Sequence, residues 1–263
     1  MAILTRTVRF CLSRSGSPLS MPRSNTHAGW PPMIGLGAYW EITVQLEGEP
    51  DPQTGYVLRI DYVDKAVREH VIPWLLGLWE NSPGDSPMHL LSGIHQRISE
   101  ALPTEIYSVA LKPEPMSLFL LETANMTTIS IARRYEFSAA HRLAINTLSD
   151  EENMDIYGKC SNPNGHGHNY EIEVMVDVPL PHAPLNPTEL DDLVDRVIVN
   201  RFDHKNLDKD LEDFQDTMTS VEHLTARCAE LLKEPIADTG ATLRHVTMWE
   251  TPRTSCTIQN DDR

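Results

Sequence analysis

The chain has 263 residues, enough for one large domain or two of ordinary size, and 40% of them are hydrophobic, enough to bury a core. Its formal charge of −16, from 38 Asp and Glu against 22 Lys and Arg, argues against a nucleic-acid binder, which needs clustered cations, but leaves room for a local basic pocket. No apolar run approaches the ~20 residues of a membrane span, and four scattered cysteines (Cys11, Cys160, Cys228, Cys256) point to a reducing cytoplasm rather than a disulfide framework.

The opening, MAILTRTVRFCLSRSG, is too broken by arginine for a signal peptide. Within it TVRFCLSR (7–14) reads as a strand, followed by GLGAYWEITV (35–44), a helical pattern in DYVDKAVREHVIPWLL (61–76) and a strand at FLLET (119–123). The same series then begins again. RYEFSAAH (134–141) resembles TVRFCLSR, and TMWET (247–251) resembles FLLET. GHGHNYEIEV (165–174) repeats GLGAYWEITV at an offset of 130, sharing G-x-G, an aromatic, Glu and the closing alternation. ELDDLVDRVIVNRFD (189–203) carries an apolar stripe of Leu190, Leu193, Val194, Val197 and Ile198, with Asn186 as N-cap and Pro187 at the first helical position. A capping-box pattern from Thr219 to Glu222 opens a second helix, along which Leu224, Cys228, Leu231 and Leu232 face inward. Cys228 is read there as an inert core thiol.

Four matches in one order at a near-constant offset predict duplication. Two modules are expected, 1–127 and 128–263, each running strand, strand, helix, helix, strand, strand in an α+β fold.

Candidate chemistry gathers in KCSNPNGHGHNYEIEV (159–174). Residues i and i+2 of a strand share a face, so His166 and His168 can grip one ion together. His141 closes the preceding strand, and a hairpin would bring it within reach. Three imidazoles with one open position describe a catalytic rather than a structural zinc; the plain alternative is three surface histidines near a loop. The matching positions of the first module are Arg14, Leu36 and Ala38, so the three are absent together, as a ligand set would be.

FSAAHRL, LSDEEN, YGKCSNPNGHGHNYEIEV, FDHKNLDKD, the T-S-V-E helix start and WET together resemble the 6-pyruvoyltetrahydropterin synthase family, over nearly all of 134–259. The first module resembles it through LEGEPDPQTGYVLRIDYVDKAV, without the chemical residues. The resemblance implies a tunnelling fold (T-fold): a four-stranded antiparallel sheet with two helices on one face, several copies assembling into a barrel. It implies a cytoplasmic, zinc-dependent lyase of tetrahydrobiopterin biosynthesis, converting 7,8-dihydroneopterin triphosphate to 6-pyruvoyltetrahydropterin with loss of triphosphate. It places zinc on His141, His166 and His168, the catalytic cysteine on Cys160, the aspartate–histidine pair on Asp203 and His204, and the pterin-anchoring glutamate on Glu250. Glu222 is a further candidate for substrate contact, although capping explains it equally well. Cys160 as a spectator, His204 as a helix C-terminal cation and Glu250 as a scaffold residue shared with Glu122 are the competing readings. His182, His223 and His245 carry no motif and read as surface or packing residues.

In the first module Leu76 and Gly77 stand where the second has Asp203 and His204, so that module is expected to supply walls rather than catalysis. Two rivals remain: a 6-carboxytetrahydropterin synthase of 7-deazaguanine (queuosine) biosynthesis, and a non-catalytic pterin- or purine-binding protein. No nucleic-acid or membrane partner is expected. The expected assembly is a homo-oligomer, with three two-module chains supplying two rings of three modules.

Overall fold

Alternation sets the first element: in β1 (Ala2–Ser13) Val8, Phe10 and Leu12 are buried while the residues between them are partly exposed. The computed structural model describes residues 1–13, 37–81, 86–215 and 217–260. They divide into two compact units, Met1–Ser130 and Ile131–Arg263.

In the first unit β1 pairs antiparallel with β2 (Gly37–Gly48), from Ala2 opposite Gly48 to Ser13 opposite Gly37. Helix α1 (Ile60–Ala66) runs through a π-helical turn, Val67–Val71, into α2 (Ile72–Asn81). Helix α3 (Pro87–Ala101) starts from Ser86, whose hydroxyl accepts the Met88 N–H. Strands β3 (Ile106–Glu114) and β4 (Ser117–Glu122) complete an antiparallel sheet in the order β1-β2-β3-β4. Val63, Val67, Val71 and Leu75 of the first helical run and Leu91, Ile94 and Ile98 of α3 are buried with the apolar face of this sheet. Arg14 and Leu36 lie outside the described residues.

The second unit holds most of β5 (Thr128–His141), then α4 (Asp150–Tyr157), a 3-10 turn Gly158–Ser161 and β6 (His166–Pro179). Helix α5 (Pro187–Val194) passes through a π-helical turn, Asp195–Val199, into α6 (Asn200–Phe202). A two-residue strand β7 (Lys205–Asn206), α7 (Val221–Ala237), β8 (Thr242–Thr251) and β9 (Thr254–Gln259) follow. The sheet order is β5-β6-β8-β9, with β7 parallel to the end of β5. Neither unit's strand order closes on itself. The fold is α+β: an antiparallel sheet with helices.

Each unit carries one arginine–aspartate pair at the same separation. Arg6 donates to both carboxylate oxygens of Asp64 at 2.8 and 2.7 Å, and Arg133 to both of Asp191 at 2.9 and 2.8 Å, 58 residues apart in each case. In both units a π turn interrupts the helix bearing that aspartate. The helices then part company. In the first unit α2 continues through Leu76 and Gly77 to Asn81, whereas in the second helical structure stops at Phe202 and the chain turns at His204, whose φ is 56°.

Three local expectations need correction. Thr219 does not cap α7: the N-cap is Ser220, because the Thr219 hydroxyl is committed to Asp208 instead. Val197 is only half-buried, since the π turn shifts the stripe out of register there. The second unit also exceeds the simple six-element run by α4 and β7. The LSDEEN segment forms α4 through a capping box in which Ser149 and Glu152 satisfy each other's N–H groups.

Candidate metal centre

Asn162 to Gly165 form a tight turn that delivers the first residue of β6 to the last of β5. The Gly165 N–H donates to the Asn162 carbonyl at 2.8 Å, and Gly165 has a φ of 72°. A Cβ built on Gly165 would lie 3.0 Å from the carbonyl oxygen of His141, so a side chain there is strained by conformation and crowded by the backbone. Period two then puts His166, His168 and Tyr170 on the face shared with His141.

The ligand nitrogens of His141, His166 and His168 lie within 4.8 Å of one another, the one such group found among the described residues. His141 is fully buried; its Nδ1–H donates to the Thr219 carbonyl at 2.7 Å, which leaves the Nε2 lone pair facing inward. That Nε2 stands 3.1 Å from Nε2 of His166. Two imidazole nitrogens at this distance need a proton or a cation between them. Nδ1 of His166 and Nε2 of His168 are buried without a hydrogen-bond partner, a state that costs free energy unless something accepts their lone pairs. Burial pushes the pKa of both His166 and His168 below the ordinary value, which favours the neutral, ligating form. Three imidazoles with converging nitrogens fit a borderline divalent cation such as zinc.

Glu250, on β8, comes in from the side. One oxygen of its carboxylate lies 3.6 Å from Nε2 of both His141 and His168, and the side chain is 18% exposed. The position given by resemblance to the pterin anchor therefore also borders the metal candidates. Cys160 sits half-exposed on the turn before β6. It is pinned by the Leu143 N–H to its carbonyl at 2.9 Å and by Arg142 Nε to the Ser161 carbonyl at 2.8 Å. Burial, reinforced by the negative charge of Glu250, pushes the Cys160 thiol up. A thiolate there needs a cation to bring it down again.

Asp203 and His204 form their own pair. Asp203 Oδ2 lies 2.7 Å from His204 Nδ1, while Oδ1 accepts the Ser138 N–H at 2.8 Å. These hydrogen bonds, the Ser138 one foremost, hold the Asp203 carboxyl below its usual range. The His204 side chain is 83% exposed, at the rim of a cleft of about 600 Å³ that His168, Asn169 and Lys205 also line. Its partners are Asp203 and the β5 backbone rather than the three histidines. Glu222 is exposed in the first turn of α7, and a hydrogen bond with Ser220 lowers its pKa. With Ser220 as the N-cap, Glu222 does not complete the expected capping box, and its contact is with the Ser220 side chain. His182 is exposed, His223 contacts the Met218 carbonyl and His245 sits 3.5 Å from Glu173.

Two nearby residues, Tyr170 and Asp208, were given no role by the sequence reading, and a third, Thr219, was read only as a helix cap. Tyr170 is fully buried with an unpartnered hydroxyl, stacked on Phe137 and edge-on to His168; its i+2 spacing from His168 was the available signal. Asp208 and Thr219 lie behind His141, and no spacing rule pointed to them.

A family model for 6-pyruvoyl tetrahydropterin synthase matches residues 130–261. A 6-pyruvoyl tetrahydrobiopterin synthase of Drosophila melanogaster is 43% identical over 97 residues, covering 36% of this chain and 58% of that protein. One from Pongo abelii is 44% identical over the same length, covering 36% of this chain and 67% of its own. A solved structure of Caenorhabditis elegans 6-pyruvoyl tetrahydropterin synthase is 36% identical, covering 51% of this chain and 96% of that one at a TM-score of 0.47.

Proposed function

This chain belongs to the 6-pyruvoyl tetrahydropterin synthase family, and from that membership we propose that its second unit converts 7,8-dihydroneopterin triphosphate to 6-pyruvoyltetrahydropterin with elimination of triphosphate. The observation that carries the proposal is the convergence of three imidazoles, with Nδ1 of His166 and Nε2 of His168 buried without a hydrogen-bond partner. His141, His166 and His168 would hold zinc. Bound there, the ion supplies Lewis-acid stabilisation for the hydroxyl-bearing carbons of the substrate side chain. Cys160 is the proposed base at those carbons; burial and Glu250 push its thiol up, so a bound cation would be needed to bring it down. His204, oriented by Asp203, is the proposed second proton-transfer group. Glu250 accepts hydrogen bonds from the pterin edge, and Glu222 stays at the helix start as an outer contact at most.

We read residues 1–127 as a degenerate copy of this module. The repeated sheet order, the matching Arg6–Asp64 and Arg133–Asp191 pairs and the two π turns support that reading. On it, modules from several chains close their sheets into a barrel, three chains giving six modules. The four free cysteines agree with a cytoplasmic location, and no helix among the described residues is long and apolar enough to cross a membrane.

The decisive experiment incubates the zinc-loaded chain with 7,8-dihydroneopterin triphosphate and identifies the product. A pyruvoyl product with free triphosphate is expected. A carboxy product would move the chain to the 7-deazaguanine branch, and unchanged substrate would leave a binding protein.

A further inference from the structure

The ring of His141 is aimed by one hydrogen bond, from Nδ1–H to the Thr219 carbonyl at 2.7 Å. Thr219 lies one residue before the N-cap of α7, in a loop rather than in an element. A loop carbonyl steadies an imidazole only as well as it is itself steadied. Thr219 is fully buried, and its hydroxyl donates to Asp208 Oδ1 at 2.6 Å. The other oxygen, Oδ2, accepts the backbone N–H of Arg142, the residue next to His141, at 2.5 Å. One carboxylate therefore holds both the main chain beside the ligand and the acceptor of its ring proton.

We propose that Asp208 is a positioning residue for the metal centre, holding His141 through Thr219 in the tautomer and orientation that present Nε2 to the ion. The inference rests on the metal reading of the three histidines. A role as a simple loop staple explains less, because the 203–210 segment is already tied to β5 without the carboxylate. The His204 N–H donates to the Ser138 carbonyl at 2.6 Å, the Leu207 N–H to the Ala140 carbonyl at 2.8 Å, and β7 pairs with Ala139 and Ala140. Partners standing behind a ligating histidine typically change metal affinity by ~10–100-fold.

The test measures zinc affinity of the full chain by competition with a chromogenic chelator, for Asp208→Asn, Thr219→Val and Thr219→Ser. Thermal unfolding of each metal-free protein is followed alongside. Thr219→Val deletes the hydroxyl but keeps the carbonyl that His141 uses, and Thr219→Ser restores the hydroxyl. The expected result is a ~10–100-fold weaker affinity in Asp208→Asn and Thr219→Val, with Thr219→Ser close to the parent. The visible absorption of the cobalt(II)-loaded protein should shift in the same two variants, while metal-free midpoints change little. Parent-like affinity in those two overturns the proposal, and so does a loss in Asp208→Asn that Thr219→Val does not share. If Asp208→Asn fails to fold, the comparison of Thr219→Val with Thr219→Ser decides alone. A parent chain that takes up no zinc removes the metal reading, and this inference with it.

Discussion

Gly165 and the three histidines around it form the smallest unit of the proposed chemistry. With only module two carrying the trio, the full chain should bind close to one zinc. His166→Ala should remove most of it, because three protein ligands fall to two; metal analysis after desalting checks both. Cys160→Ala should keep its zinc yet lose roughly 10²–10⁴-fold in turnover, the usual contribution of a general acid or base. Turnover near the parent rate would reduce Cys160 to a loop residue. The pH response follows from burial. His166 and His168 titrate below their ordinary 6.5 in the folded chain, so the unfolded chain binds protons that the folded one refuses. The contribution of these two imidazoles to the stability of the metal-free protein is then fully present above about 6.5 and is lost as the pH falls from there toward the lowered folded values. Melting of the chelator-treated protein across that window, beside His166→Asn, is the check: the variant should decline less steeply, and equal slopes sink the assignment.

At the scale of elements, the apolar stripes and the start of α5 were readable, while the cap of α7 and the π-helical interruptions were not. Asn186 and Pro187 announce α5 by chemistry local to a few residues, and the structure pairs Asn186 with Glu189 in a full capping box. Asn186→Ala should cost about 1 kcal/mol, read as a lowered denaturation midpoint with an unchanged m-value; no loss would mean that packing alone holds the start of α5. Thr219 misled because a threonine with a glutamate three residues on looks like a cap, while here its hydroxyl serves Asp208 and Ser220 takes the capping role. The π turns and the two-residue β7 left no periodic trace, since each depends on what packs against it. The contrast between Leu76-Gly77 and Asp203-His204 was visible as composition. Only the structure shows its consequence, a helix that continues in one unit and breaks at a left-handed His204 in the other.

For the whole molecule, edge strands set the expectation. Among the described residues strand β9 has one partner, β8, and β1 has one, β2, so both present backbone groups for pairing. If closure of sheets between chains satisfies them, solution mass should correspond to a closed assembly, three chains being the expected count. The isolated fragment 130–263 should be poorly soluble or inactive, and fragment 1–129 added in trans should restore part of the activity. A monomeric, fully active 130–263 fragment would show that the first unit is dispensable to the pocket.

The sequence by itself determined what repeats at short range: strand alternation, the amphipathic helices and the two-residue spacing of His166 and His168. Those features are legible because each is a pattern of side chains on one element, governed by backbone periods of 2 and 3.6. What stands behind and beside the three histidines was decided only by tertiary structure. His141 meets the Thr219 carbonyl across 78 residues, Glu250 reaches two imidazoles from β8, and the Cys160 thiol is raised by burial and by that same carboxylate. Such contacts arise where separate elements pack, and no local period encodes them.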